Sequence, residues 1–241
     1  MRPSTRLSEA LEIRLLREIV GRKVLPGEAL PSVAEIAATH QVSQPIVREC
    51  MQTLVAAGVI SVSHGKRTLV RPAADWNVLS PLVQHAFHAE GRGSELVRDF
   101  YEVRRILEVG AVHVAIEQAS QDQVQLICDL SDRMNEVAIG SRDVATFLEH
   151  DRQFHEAVSS ATNNATLAQL IRMLYAANKN EWTRSQAAVG DLEVLAEQHA
   201  KIAQAIKARE PGSAGEAVER HISTAVAIEA GRDAQGCCDG S

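Results

Sequence analysis

The stretch LPGEALPSVAEIAATHQVSQPIVRECMQTLVAAGVISVSHGKRTLV, residues 25–70, decides the fold of the N-terminal third of the chain. Pro26-Gly27 punctuates a turn. Ser32 stands where it caps a helix over VAEIAATH, with Glu35 three residues on as its capping-box partner. QVS is a short turn. Ser43 then caps a further helix that begins near Pro45, a good first-turn residue, and stops at Gly58. VISVS and RTLVR follow, two short β-branched runs joined by HGK with Gly65 at the bend, which is a hairpin signal. Upstream, SEALEIRLLREIVGRK carries Leu11, Leu15, Ile19 and Val20 at helical spacing.

Helices whose second and third members are joined by a short turn, followed by a two-stranded wing, describe a winged helix-turn-helix. The third helix is then the reader. Its N-terminal residues Ser43, Gln44, Ile46, Val47 and Arg48 are expected to face base edges or phosphates, and Lys66 and Arg67 at the wing tip to reach the backbone or minor groove. The competing reading is a helical protein-interaction domain with an incidental hairpin. Charge favours the first. Residues 1–72 hold ten Lys/Arg and six Asp/Glu, whereas the remainder holds fifteen and twenty-five, for a net charge of −6. A basic head on an acidic body expects a polyanion at the head only.

Residues 73–93 read as a linker, with a short helix near Ser80–His88, Gly-Arg-Gly at its end and Trp76 as a packing anchor. From Ser94 the pattern is helix after helix, near 94–118, 122–139, 143–160, 164–183, 187–209 and 213–231, with SQDQ, SRDV and GSAGE as entry signals. The organisation expected is a head over 1–72, the linker, an all-helical bundle over 94–232 and a disordered tail over 233–241. Hydrophobic residues make up 45% of the 241, enough for a core, and aromatics only 3%; Ala, Val, Leu and Ile among Glu, Gln and Arg suit helix-on-helix packing. No apolar run approaches the ~20 residues of a membrane span, and charges break up the N-terminal apolar positions, so no secretory signal is expected and a cytoplasmic location is. Cys50, Cys128, Cys237 and Cys238 show no metal-ligand spacing, and reduced thiols are expected. No phosphate loop or Gly-flanked nucleophile is present.

The bundle holds His113, His150, His155, His199 and His221. Asp151 precedes His155 by one helical turn and shares its face. Alone, that pair fits an ordinary exposed Asp–His pair. His199 lies three before Ile202 and four after Leu195, and His221 three after Val218 and four before Ala225, so both face inward. One inward histidine is most simply a satisfied core residue. Three from three helices, with an aspartate one turn from the first, match the way bundles build metal sites. Three imidazoles and a carboxylate suit Zn²⁺, and also accept Ni²⁺, Co²⁺, Mn²⁺ or Fe²⁺. His150 points about 100° away and is left out.

Residues 25–70, with their Pro-Gly turn, Ser-capped helix, reader helix opening at Val42-Ser43 and running through Pro45 to Glu49, and Gly-tipped wing, resemble the GntR family of bacterial transcription regulators. The bundle resembles the FCD effector domain of the FadR-type subfamily, on YEVRRILEVGAVHVAIEQA, DRQFHEAVSSATNN, and QHAKIAQAIKARE with AVERHI. The resemblance implies a mainly α chain: a winged helix-turn-helix with a small β-hairpin, then an all-α bundle. It implies metal ligation by Asp151, His155, His199 and His221, and a small carboxylate effector near the metal. Arg104 matches the opening-helix arginine and is the candidate counter-charge, although Glu108, one turn on, is placed to pair with it locally. The DNA-facing set becomes Ser32, Ser43, Gln44, Arg48, His64, Gly65, Lys66 and Arg67. Two departures stand out: Ala34 and Gln44 occupy positions where the family often has Arg, each removing a phosphate or guanine contact.

The function expected is a ligand-responsive regulator, not an enzyme. It would bind a near-palindromic double-stranded operator as a homodimer and sense a sugar acid or hydroxy acid. The alternatives are a metal-dependent hydrolase-like enzyme, which needs a general base that the sequence does not nominate, and a metal-free regulator that binds acyl-CoA.

Overall fold

The structure is a computed structural model. It describes the backbone of residues 3–63, 67–187 and 192–236, and the side chains of 7–63, 67–177 and 192–227. The chain divides into two compact units, Met1–Leu96 and Val97–Ser241.

In the first unit α1 (Pro3–Val20), α2 (Val33–His40) and α3 (Gln44–Ala56) precede β1 (Ile60–Ser61) and β2 (Leu69–Val70), and α4 (Pro81–Ala89) follows. The capping box expected at Ser32 forms: Glu35 N donates to Ser32 Oγ at 3.3 Å and Ser32 N to Glu35 Oε2 at 2.7 Å. Ser43 takes the N-cap backbone conformation of α3, but its hydroxyl makes no cap bond. Leu11, Leu15 and Leu16 of α1 pack with Ile36, Val47 and Leu54 in the buried core of this unit.

The hairpin pairs antiparallel, Ile60 with Val70 and Ser61 with Leu69. A further bridge joins Ala29 to Leu69, so the segment read as a plain turn supplies an extra edge to the sheet. Gly58 closes α3 with φ +72°, and a Cβ there would lie 2.4 Å from the Asp75 carbonyl oxygen. Conformation and space both require glycine.

The segment expected as a linker is part of the first unit. Arg17 Nε pairs with Glu90 at 2.7 Å, and Arg92 Nη1 donates to the Val20 carbonyl at 2.9 Å. Trp76 is the anchor expected: it is buried, donates from Nε1 to Arg71 O at 3.0 Å and meets Phe87 edge-on at 6.1 Å.

The second unit is all helix: α5 (Gly93–Gln118, beginning just before the division), α6 (Gln121–Ile139), α7 (Val144–Ser160), α8 (Ala165–Ala187), α9 (Leu192–Ala208) and α10 (Pro211–Gly236). Ser120 with Gln123 forms a second capping box, and Asp143 Oδ2 accepts from Thr146 N at 3.1 Å. The helix expected to end near 231 continues to Gly236, inside the stretch expected as tail; residues 237–241 lie outside the described residues. The core is aliphatic, with Phe147 and Phe154 fully buried where α7 meets its neighbours. Among the described residues no helix is long and apolar enough to cross a membrane.

Candidate metal centre and nucleic-acid interface

On α7, Phe147, Asp151, Phe154, His155 and Val158 share the buried face, so an acid and an imidazole sit inside an apolar stripe. α9 buries His199 between Leu195 and Ile202, and α10 buries His221 between Val218 and Ala225. The four groups converge: one ligand atom from each of Asp151, His155, His199 and His221 lies within 4.8 Å of all the others. All four side chains are buried, which excludes the exposed Asp–His pair. Phe154 presents its edge to both His155 (5.5 Å) and His199 (5.0 Å) and keeps the surroundings apolar.

Each imidazole is oriented through its Nδ1. His155 Nδ1 lies 2.6 Å from Glu108 Oε2, His199 Nδ1 2.8 Å from the Leu195 carbonyl, and His221 Nδ1 3.2 Å from Gln198 Oε1. Those oxygens accept, so Nδ1 carries the proton and Nε2 keeps its lone pair. Arg104 Nη2, which can only donate, lies 3.2 Å from His155 Nε2 and assigns the same tautomer there.

The Nε2 atoms of His155 and His199 are 3.2 Å apart, and Asp151 Oδ1 lies 3.1 Å from His199 Nε2. Facing lone pairs at that separation repel unless a cation lies between them. Tetrahedral ligands with bonds of about 2.0–2.1 Å have donor atoms about 3.3 Å apart. Asp151 Oδ1 and His221 Nε2 are, in addition, buried atoms with no hydrogen-bond partner. The donor set fits a divalent ion, and this buried His/Asp cluster can hold one.

Electrostatics agree. Burial works against the Asp151 carboxylate, but its charged surroundings, with the Arg104 guanidinium among them, hold it below the usual carboxylate range. Burial lowers the pKa of His155, with Glu108 opposing, and drives that of His221 well down, assisted by the other imidazoles. An anionic carboxylate and neutral imidazoles are the ligand forms.

Arg104 stands beside the cluster, as the resemblance implied, and so does the local partner. Its Nε donates to Glu108 Oε1 at 2.5 Å and its Nη2 to the Tyr175 hydroxyl, all buried. Sequence reasoning gave Glu108 only as a local partner of Arg104 and missed its contact with His155. It missed Tyr175 and Gln198 altogether. Helical spacing could have put Gln198 near His221's helix only with the packing known, and nothing local marks Tyr175.

In the head, Ser32, Ser43, Gln44, Arg48 and Arg67 are exposed. Arg48 Nη2 donates to Gln44 Oε1 at 3.3 Å, so the two form one polar unit on the reader helix. Val47 is a correction: it is fully buried in the core and cannot face DNA, and Ile46 is half-buried. His64, Gly65 and Lys66 lie outside the described residues.

A winged helix-turn-helix joined to an all-helical body is the architecture of a DNA-binding regulator with its own effector domain. The chain belongs to the gntR family of bacterial regulatory proteins, whose model matches residues 7–70, and carries an FCD domain over residues 99–224. It is similar to the HTH-type transcriptional repressor NanR of Cronobacter sakazakii, 30% identical over 92% of this chain and 85% of that one. It is also similar to the galactonate operon transcriptional repressor of Escherichia coli, 28% identical over 68% and 70%. Among solved structures, Escherichia coli McbR/YncC superposes with a TM-score of 0.54 at 17% identity, over 94% of this chain and 98% of that one. A GntR-family regulator from Pseudomonas syringae gives 0.52 at 18%, over 99% and 91%. These two show the fold. Regulators of this family bind DNA operators and small-molecule effectors.

Proposed function

We propose that this chain is a cytoplasmic, homodimeric repressor that leaves its operator when a small sugar acid or hydroxy acid binds beside a divalent metal held by Asp151, His155, His199 and His221. The observation that carries the reading is the convergence of four buried donors whose second partners already fix each imidazole. Zn²⁺ is the first candidate, because three imidazoles and a carboxylate suit it; Ni²⁺, Co²⁺, Mn²⁺ and Fe²⁺ remain compatible with the same ligands. The metal would act as a Lewis acid that binds ligand oxygens. Arg104 would hold the acid's carboxylate as a two-pronged donor, while Glu108, the Leu195 carbonyl and Gln198 keep the imidazoles in place.

In the head, Arg48 with Gln44 reads the major groove, and Ser32, Ser43 and Arg67 donate to phosphates along with the wing-tip residues His64, Gly65 and Lys66. A dimer presents two reader helices to a near-palindromic operator. The ligand acts only through its different affinity for the DNA-bound and free arrangements. The galactonate named for one relative makes galactonate the first acid to try. A mobility-shift titration on the chain's own upstream DNA tests the reading. Galactonate or another sugar acid should release the operator from the metal-loaded protein and not from chelator-treated protein. Release that ignores the metal contradicts it.

A further inference from the structure

Glu108 uses its two carboxylate oxygens for two different purposes. Oε2 faces His155 Nδ1 at 2.6 Å and orients a member of the cluster. Oε1 accepts from Arg104 Nε at 2.5 Å and from the Tyr175 hydroxyl at 3.1 Å. Arg104 and Glu108 lie one turn apart on α5 with side chains only 5% and 6% exposed. The guanidinium that would receive an acid effector therefore already holds a carboxylate. Against Glu108 and His155, a cavity of about 10 Å³ is lined also by Phe154 and Ser159, but by neither Arg104 nor the other three candidate ligands. That is room for about one water; pockets for small organic ligands are about 300 Å³ and upward. That space does not reach Arg104, whose Nε is held in a buried pair with Glu108, so an acid meets that nitrogen only by opening the pair.

We infer that Glu108 is an internal carboxylate that occupies Arg104 in place of the effector, and that an acid binds by displacing it. This rests on the proposed role of Arg104. Three features support it. The contact to be exchanged is on Oε1 alone, so His155 keeps its partner on Oε2. Tyr175 remains on Oε1 when Arg104 leaves, so the displaced carboxylate is not stranded without a donor. Charge also balances: a divalent ion and Arg104 against Asp151 and Glu108 leave one net positive charge, which a monocarboxylate neutralises. Glu108 raises the acid concentration at which the sensor responds, and selects acids that offer the metal further oxygens to offset the broken pair.

The test is calorimetric titration of galactonate, citrate and acetate into the full-length, Zn²⁺-loaded protein, with metal content measured on the same samples. Glu108→Gln keeps an oxygen for His155 but gives Arg104 no competing charge. It should keep its metal and bind the responding acid at least tenfold tighter. Tyr175→Phe should move the other way, weakening the acid severalfold with metal unchanged. In an Arg104→Ala background, Glu108→Gln should change acid affinity little. A folded, metal-loaded Glu108→Gln protein that binds the acid no tighter than the parent overturns the inference. Should Glu108→Gln fail to fold, Tyr175→Phe decides: acid affinity equal to or tighter than the parent's overturns it. If Arg104→Ala alone leaves acid affinity intact, the role proposed for Arg104 falls, and the inference with it; that result is distinct from failure of the exchange.

Discussion

His221 stacks on His155 with ring centroids 5.2 Å apart, and burial disfavours a proton on either ring. The consequence for pH follows from where the protons go. Unfolded, both imidazoles titrate near the ordinary value of 6.5; folded, both do so lower. Below that value the unfolded chain gains protons that the folded chain refuses, so stability present above pH 6.5 is lost as pH falls. Asp151, held below an ordinary 3.8, adds a further loss only under about pH 4. Chelator-treated protein should therefore melt at progressively lower temperature from pH 7 to pH 5, and His221→Asn should flatten that slope. An unchanged melting temperature across the window contradicts the burial-driven depression. Cys50 makes a second residue-scale prediction. Burial, with Glu12 nearby, pushes its thiol up to about 12. It should resist alkylation at pH 8 in the folded protein and react on denaturation; mass spectrometry of pulse-labelled peptides would show otherwise if the head opens readily.

Elements carry the next set of consequences. The capping box at Ser32 satisfies two donors of the first turn of α2, and Ser32→Ala should cost about 1 kcal/mol in denaturant melts. Gly58→Ala should cost more, on the order of 2 kcal/mol, since it adds a Cβ at positive φ against the Asp75 carbonyl. On α3, Arg48→Ala should weaken operator binding on the order of tenfold, while the melting curve stays put because the side chain is exposed. An unchanged mobility-shift midpoint would remove Arg48 from the reading face. Much of this was legible in advance. Caps, the Pro at the start of α3 and the glycine at its end are local signals, so the element order and most helix bounds could be read directly. The bridge from Ala29 to Leu69 could not, because backbone pairing across sequence leaves no side-chain signature. Nor could the docking of 73–93, which depends on Arg17 meeting Glu90 and Arg92 meeting the Val20 carbonyl. Val47 shows a third limit: β-branched residues near a reader helix's start alternate between groove and core, and only packing tells which.

At the scale of the whole molecule, the helical period put Asp151 and His155 on one face and turned His199 and His221 inward, and the structure brings all four together. The surrounding shell was largely hidden. Tyr175 and Gln198 belong to helices whose mutual rotation no single-helix pattern encodes, and Glu108 was visible only as a neighbour of Arg104. Charge divides along the chain in the same sense: the head is basic and suits a polyanion, and the acidic body buries at its centre a donor set that can hold a cation, with Arg104 beside it. Binding of that cation should stabilise the body by mass action, raising the melting temperature with metal concentration.

The most direct test of the convergence at the heart of this account is metal stoichiometry. Protein purified without chelator is analysed by elemental mass spectrometry beside its His199→Ala variant, with folding of both checked by circular dichroism. One divalent ion per chain is expected in the parent, and its loss from a variant that remains folded. A parent that cannot be loaded, or a folded variant that retains a full equivalent, contradicts it.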